Sequence, residues 1–185
     1  MRKCLIFLAP FALAGCAALD WGPREPQGGP TFALVDTGGQ SIGTVRMWES
    51  PGAVTFRIEA SGLPRGIHGV HVHAVGRCDA PGFTTAGSHW NPLNRKHGPE
   101  NPAGPHAGDL PNVTVAANGV LGETVALPAA SFASLSDADG SALVIHADRD
   151  DLRTDPSGNS GARRSVAQGD SPQGPSQKPS RYLLG

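Results

Sequence analysis

The chain has 185 residues, a length that fits one domain with appendages. Lys+Arg 15 against Asp+Glu 16 leaves a net charge of -1, so composition gives no reason to expect nucleic acid as a partner, although it leaves room for a local positive patch. Gly 25, Pro 17 and 5% aromatics exclude a protein of long helices, while 38% hydrophobic residues permit a modest core.

The N-terminus comes first. Arg2 and Lys3 precede an apolar run from Leu5 to Ala14, the layout of a secretory signal. The run is too short to span a bilayer comfortably. It ends in Leu13-Ala14-Gly15-Cys16, which resembles a bacterial lipobox, so residues 1–15 are expected to be cut away and Cys16 to carry lipid. An ordinary signal with an incidental Cys is the plainer alternative. Ala17 follows the Cys where an Asp would favour the inner membrane, and this points to the outer membrane of a cell envelope or periplasm. Residues 16–30 read as a Pro/Gly-rich linker.

Short strands are predicted from Thr31 onward. Val54, Phe56 and Ile58 alternate with Thr55, Arg57 and Glu59, the period of a half-buried strand. Val45 and Met47 alternate in the run before, and Ser50-Pro51-Gly52 punctuates the two as a hairpin would. Further strands are expected at 31–36, 67–74, 112–117, 120–127 and 141–147, with Asn118-Gly119 as a hairpin turn. The expected fold class is therefore all-β, an antiparallel sandwich or barrel. The Gly/Pro-rich stretch from Gly76 to Pro111 interrupts the rhythm, and 147–162 is a second irregular stretch. Residues 165–185 read as a disordered low-complexity tail.

All 7 His lie between residues 68 and 146. His71 and His73 stand two apart in a predicted strand, so both leave the same face while Val70 and Val72 pack behind. His146 ends the apolar run Leu143-Val144-Ile145. The long loop adds His89, His97, His106 and Asp109. Three His and one Asp suit a tetrahedral zinc site, and imidazoles suit copper. One His can join two ions through its two ring nitrogens. Spacing alone supports a metal site and leaves open whether it holds one ion or two. A lone His is more often structural, and His68 is read that way.

At these residues the chain resembles copper/zinc superoxide dismutases. The resemblance is carried by GIHGVHVHAVGRCDAPG (66–82), TAGSHWNPLNRKHGPE (85–100), GPHAGDLPNVTV (104–115), LVIHADRDDL (143–152) and DPSGNSGAR (155–163). It implies a Greek-key β-sandwich domain over 31–164. It implies one copper held by His71, His73, His89 and His146, and one zinc held by His89, His97, His106 and Asp109. It further implies that His89 bridges the ions, that Asp150 links a copper ligand to a zinc ligand, and that Arg163 draws in the superoxide anion. The implied reaction is dismutation of superoxide to dioxygen and hydrogen peroxide, by a monomer or homodimer.

After Arg163 the sequence departs from that pattern. The family continues with an apolar strand whose Cys pairs with the position of Cys78, whereas here Arg164-Ser165-Val166-Ala167-Gln168 follows and no Cys occurs. The expectation is a missing last strand, an unpaired Cys78 and a loosened loop, which would leave Arg163 free to lie far from copper. A frameshift past codon 163 would produce such a change. A second reading gains weight from it: a metal-buffering lipoprotein that keeps the ligands but turns over little.

Overall fold

The computed structural model describes residues 28–169. The predicted signal, Cys16, most of the linker and the chain beyond Gly169 lie outside the described residues. Among the described residues nine strands follow in order: β1 (Thr31–Asp36), β2 (Ser41–Ser50), β3 (Ala53–Ala60), β4 (Gly66–His68), β5 (Val70–His73), β6 (Val113–Val115), β7 (Leu121–Pro128), β8 (Ala142–His146) and β9 (Arg163–Gln168). One four-residue helix, α1 (Phe132–Leu135), precedes β8.

Local chemistry explains the early hairpin. β2 and β3 pair from Gly43↔Ala60 to Ser50↔Ala53, leaving Pro51 and Gly52 as the connection. Pro favours the first turn position, and Gly52 supplies the positive φ of 74° that the second requires. Gly119 (φ 78°) does the same after Asn118, where its N–H donates to the Ala116 carbonyl.

Seven strands form one antiparallel sheet in the order β5-β8-β9-β1-β2-β3-β7, and β4 pairs with β6 beside it. The chain crosses from β3 to the opposite edge and returns from β7 to β8, the crossovers of a Greek-key topology. The sheet curls into a half-barrel. Its inner face is filled by Leu34, Val45, Val54, Ile58, Val70, Val72, Leu121, Leu127 and Ile145. Each such side chain contributes about 1.5–3 kcal/mol through burial. A smaller cluster of Phe83, Ala86, Ala142, Val144 and Val166 lies apart from it, with Cys78 packed alongside.

The expected loss of the last strand is corrected by β9. It pairs with β8 through Val144↔Val166 and with β1 through Val35↔Val166, so it sits in the middle of the sheet. Ser165, Val166 and Ala167 are all buried. Ala167 belongs to the main core and Val166 to the smaller cluster. A strand covered on both faces has no reason to alternate, which is why its sequence shows no strand period. The domain therefore runs beyond residue 164, and residues 165–168 are strand rather than disordered tail.

Candidate metal centre

Two elements and two loops build the site. In β5, Val70 and Val72 face the core, and the alternation turns His71 and His73 to the other side. β5 pairs with β8, which ends in His146. The connection from β5 to β6 carries His89, His97, His106 and Asp109. The connection from β8 to β9 carries Asp150.

His71, His73, His89 and His146 offer ring nitrogens that lie within 4.8 Å of one another, all four residues being buried. Each of three rings has one nitrogen committed elsewhere. His73 Nδ1 donates to the Gly87 carbonyl at 2.9 Å, His146 Nδ1 to Gly161 at 3.2 Å, and His71 Nε2 to Asp150 Oδ2 at 2.6 Å. The other nitrogens are left with inward lone pairs. His73 Nε2 and His146 Nε2 stand 3.4 Å apart. His71 Nδ1 and His89 Nε2 are buried with no hydrogen-bond partner among the described residues. Buried polar atoms left without a partner are costly, and a cation placed among four lone pairs removes that cost. Burial pushes His71 down to about 4, His73 to about 2 and His146 to about 3, so the rings are neutral and ready to ligate at neutral pH.

A second convergence lies on the far side of His89. Asp109 Oδ1 is 2.9 Å from His89 Nδ1, 3.1 Å from His97 Nδ1 and 3.3 Å from His106 Nδ1. His106 Nδ1 is 3.4 Å from His89 Nδ1. Bonds of about 2.0–2.1 Å around a tetrahedral zinc imply ligand separations of about 3.3–3.4 Å. The four atoms thus need only small shifts to receive such an ion. His71 also comes within reach of His89, His97 and Asp109, because its ring stacks on His89 with centroids 3.9 Å apart. With Nε2 taken by Asp150, His71 has one lone pair left to give.

Charge balances the second group differently. Burial opposes ionisation of Asp109, but hydrogen bonds from His89 and His97 outweigh it and hold the carboxyl well below its ordinary range. Burial likewise opposes a charge on His97, but the Asp109 and Asp150 acceptors prevail and raise it to about 9. Asp150 accepts from His71 Nε2 at 2.6 Å and from His97 Nε2 at 3.0 Å, so one carboxylate orients a ring in each group.

Sequence reasoning missed what holds Asp150. Asn112 clamps its backbone, donating from Nδ2 to the Asp150 carbonyl and accepting the Asp150 N–H, both at 2.9 Å. Gly158 (φ 62°) lies so near that a Cβ there would overlap Asp150 Oδ1 and crowd His97 Nε2. Neither residue is marked by any spacing signal.

Arg163 corrects the expectation that it strays. Its guanidinium donates to the carbonyls of Phe83 and Gly87, the second of which also accepts from His73. It opens β9 opposite His146 in the ladder. Among the described residues the loop carrying Cys78 is anchored by buried Phe83 and by these bonds rather than by a disulfide. Cys78 is a free, half-buried thiol, and burial pushes it up to about 11, so it is protonated at neutral pH. His68 places its two ring nitrogens 2.9 Å from the His146 and Pro64 carbonyls, which makes it a support for the strand end bearing His146.

A family model for copper/zinc superoxide dismutase matches residues 41–169. The chain belongs to the copper/zinc superoxide dismutase family. It is 40% identical over 136 residues to the copper-zinc superoxide dismutase 1 of Aquifex aeolicus, covering 70% of this chain and 80% of that protein. It is 36% identical over 178 residues to the superoxide dismutase-like protein YojM of Bacillus subtilis, covering 86% and 90%. Among solved structures it is similar to a superoxide dismutase-like protein from Bacillus subtilis, with TM-score 0.72 and 38% identity over 75% of this chain and 96% of that one. The copper/zinc superoxide dismutase from Brucella abortus gives TM-score 0.63 and 28% identity, covering 75% and 97%. The half-barrel is the fold of this family, and copper and zinc are its cofactors.

Proposed function

We propose that this chain converts superoxide to dioxygen and hydrogen peroxide, with copper held by His71, His73, His89 and His146 and zinc held by His89, His97, His106 and Asp109. The observation that carries this reading is the position of His89: its Nδ1 faces the second convergence and its buried Nε2 has no partner but the first. When bound, copper supplies one-electron exchange with superoxide, which zinc cannot do. The chain's own residues do the rest. His71, His73 and His146 present neutral lone pairs, oriented by Asp150, Gly87 and Gly161. His89 Nε2 is the atom that can hold a proton whenever it is not ligating. Half-buried Arg163 supplies the positive charge that attracts the anion.

Loading purified protein with both metals and assaying superoxide decay tests this. Turnover close to encounter-limited supports it. Full occupancy with negligible turnover would favour metal buffering instead, a reading weakened by the presence of β9 in the sheet. We further propose that Cys16 is lipidated and holds the enzyme to the outer membrane, on the signal layout and Ala17. Cys16→Ser is expected to move the protein from the membrane to the soluble fraction, and wild type that is already soluble would contradict it. A mass measurement in solution is expected to return a monomer or a homodimer.

A further inference from the structure

We propose that Asp155 is a positioning residue for the zinc half of the site, acting on His97 and His106 together. The inference rests on the reading of the site given above.

Asp155 lies in the β8–β9 connection, with Asp150. Its Oδ1 accepts the backbone N–H of His97 at 2.8 Å. The same oxygen stands 3.7 Å from His106 Nε2. Its Oδ2 accepts from Lys96 Nζ at 3.0 Å. His97 is thus held at both ends by one loop: Asp150 takes the ring Nε2–H, and Asp155 takes the backbone N–H.

His106 needs a partner on its far side. Its Nδ1 is turned toward Asp109 and His89, so a zinc there leaves a proton on Nε2. That proton needs an acceptor, and Asp155 is the carboxylate it faces. The separation is longer than a hydrogen bond, but closing it takes a shift of about 0.5 Å. A carboxylate that accepts from the far nitrogen of a zinc-bound imidazole fixes the ring and raises its basicity, and losing one typically costs about 10–100-fold in metal affinity. Asp155 therefore does for His106 and the His97 backbone what Asp150 does for the His71 and His97 rings. A mere surface staple to Lys96 would have no such effect.

The test uses the full chain stripped of metal, with zinc affinity read by competition against a chromophoric chelator. Asp155→Asn keeps an oxygen for the His97 N–H but removes the charge facing His106. Its zinc affinity is expected to fall about 10–100-fold. Its copper(II) spectrum should stay as in wild type, and the spectrum of cobalt(II) at the zinc position should change. Lys96→Ala should leave zinc affinity unchanged. Should Asp155→Asn fail to fold, Asp155→Glu and Asp155→Ala are compared, and Glu is expected to bind zinc more tightly. Wild-type zinc affinity in Asp155→Asn, or Glu no better than Ala, would overturn the inference alone. A wild type that takes up no zinc would bring down the reading of the site as well.

Discussion

His97 and His146 are both buried imidazoles, yet their neighbours drive them apart. His97 faces two carboxylates and is raised to about 9, whereas His146 faces other imidazoles and is lowered by burial to about 3. In the metal-free protein, the His97 contribution to stability is full below its ordinary 6.5 and is lost as pH rises through about 9. His71, His73 and His146 act in the opposite sense. The unfolded chain takes up protons below 6.5 that the folded rings refuse until about 4, 2 and 3, so stability falls as pH drops below 6.5. Asp109 and Asp150, held below their ordinary 3.8, add a further loss below that value. The unfolding midpoint of metal-free protein is expected to peak near pH 6.5 in a series of thermal melts. A midpoint that keeps rising to pH 9 would contradict the assignment of His97.

Arg163→Ala should retain both metals but lower kcat/KM about tenfold or more at low ionic strength, and the deficit should shrink with salt. Arg163→Lys should recover only part of it, because an ammonium lacks the planar fork that spans the Phe83 and Gly87 carbonyls. A deficit independent of salt would mean that Arg163 serves only to hold the loop. The candidate ligands are legible in the sequence, since the i, i+2 spacing of His71 and His73 puts both on one face of any strand that contains them. The supports are not: Asn112 meets Asp150 only because two distant loops meet, and Gly158 is forced by a close approach that no local pattern encodes.

At the scale of elements, β9 shows where pattern reading stops. The hairpin strands β2 and β3 alternate because one face is wet, whereas β9 is flanked by β8 and β1 and covered on both sides. Two arginines at its start and a single valine in its middle give it no apolar signature. A chain ending after Gly169 is expected to melt within a few degrees of the full chain and to keep its metals. A chain ending after Ala162 should not fold. Equal behaviour of the two would show that β9 is dispensable. The loop docked on the outer face of β8 and β9 depends on Phe83, which is fully buried. Phe83→Ala should cost about 3–5 kcal/mol in chemical denaturation and release Arg163 from its carbonyl partners. That is a large part of the roughly 5–15 kcal/mol a domain of this size holds. A loss below about 1 kcal/mol would mean that the loop is fixed by other means.

For the molecule as a whole, the sheet is a frame on which two irregular connections are stitched together. Glu100 N–H donates to the Leu152 carbonyl, Arg153 pairs with Glu100 at 2.8 Å, and Asn112 grips Asp150. Each connection alone carries an incomplete set of groups. Joined, they close both halves of the site over β5 and the end of β8. Spacing announces that a metal site exists; only the folded chain shows His89 turned to two convergences at once.

That arrangement is tested most directly by a crystal structure of protein loaded with copper and zinc, with anomalous scattering recorded at both absorption edges. Two ions are expected. Copper should be bound by His71 Nδ1, His73 Nε2, His89 Nε2 and His146 Nε2, and zinc by the Nδ1 atoms of His89, His97 and His106 with Asp109. A single ion, or two ions that do not share the His89 ring, would contradict it.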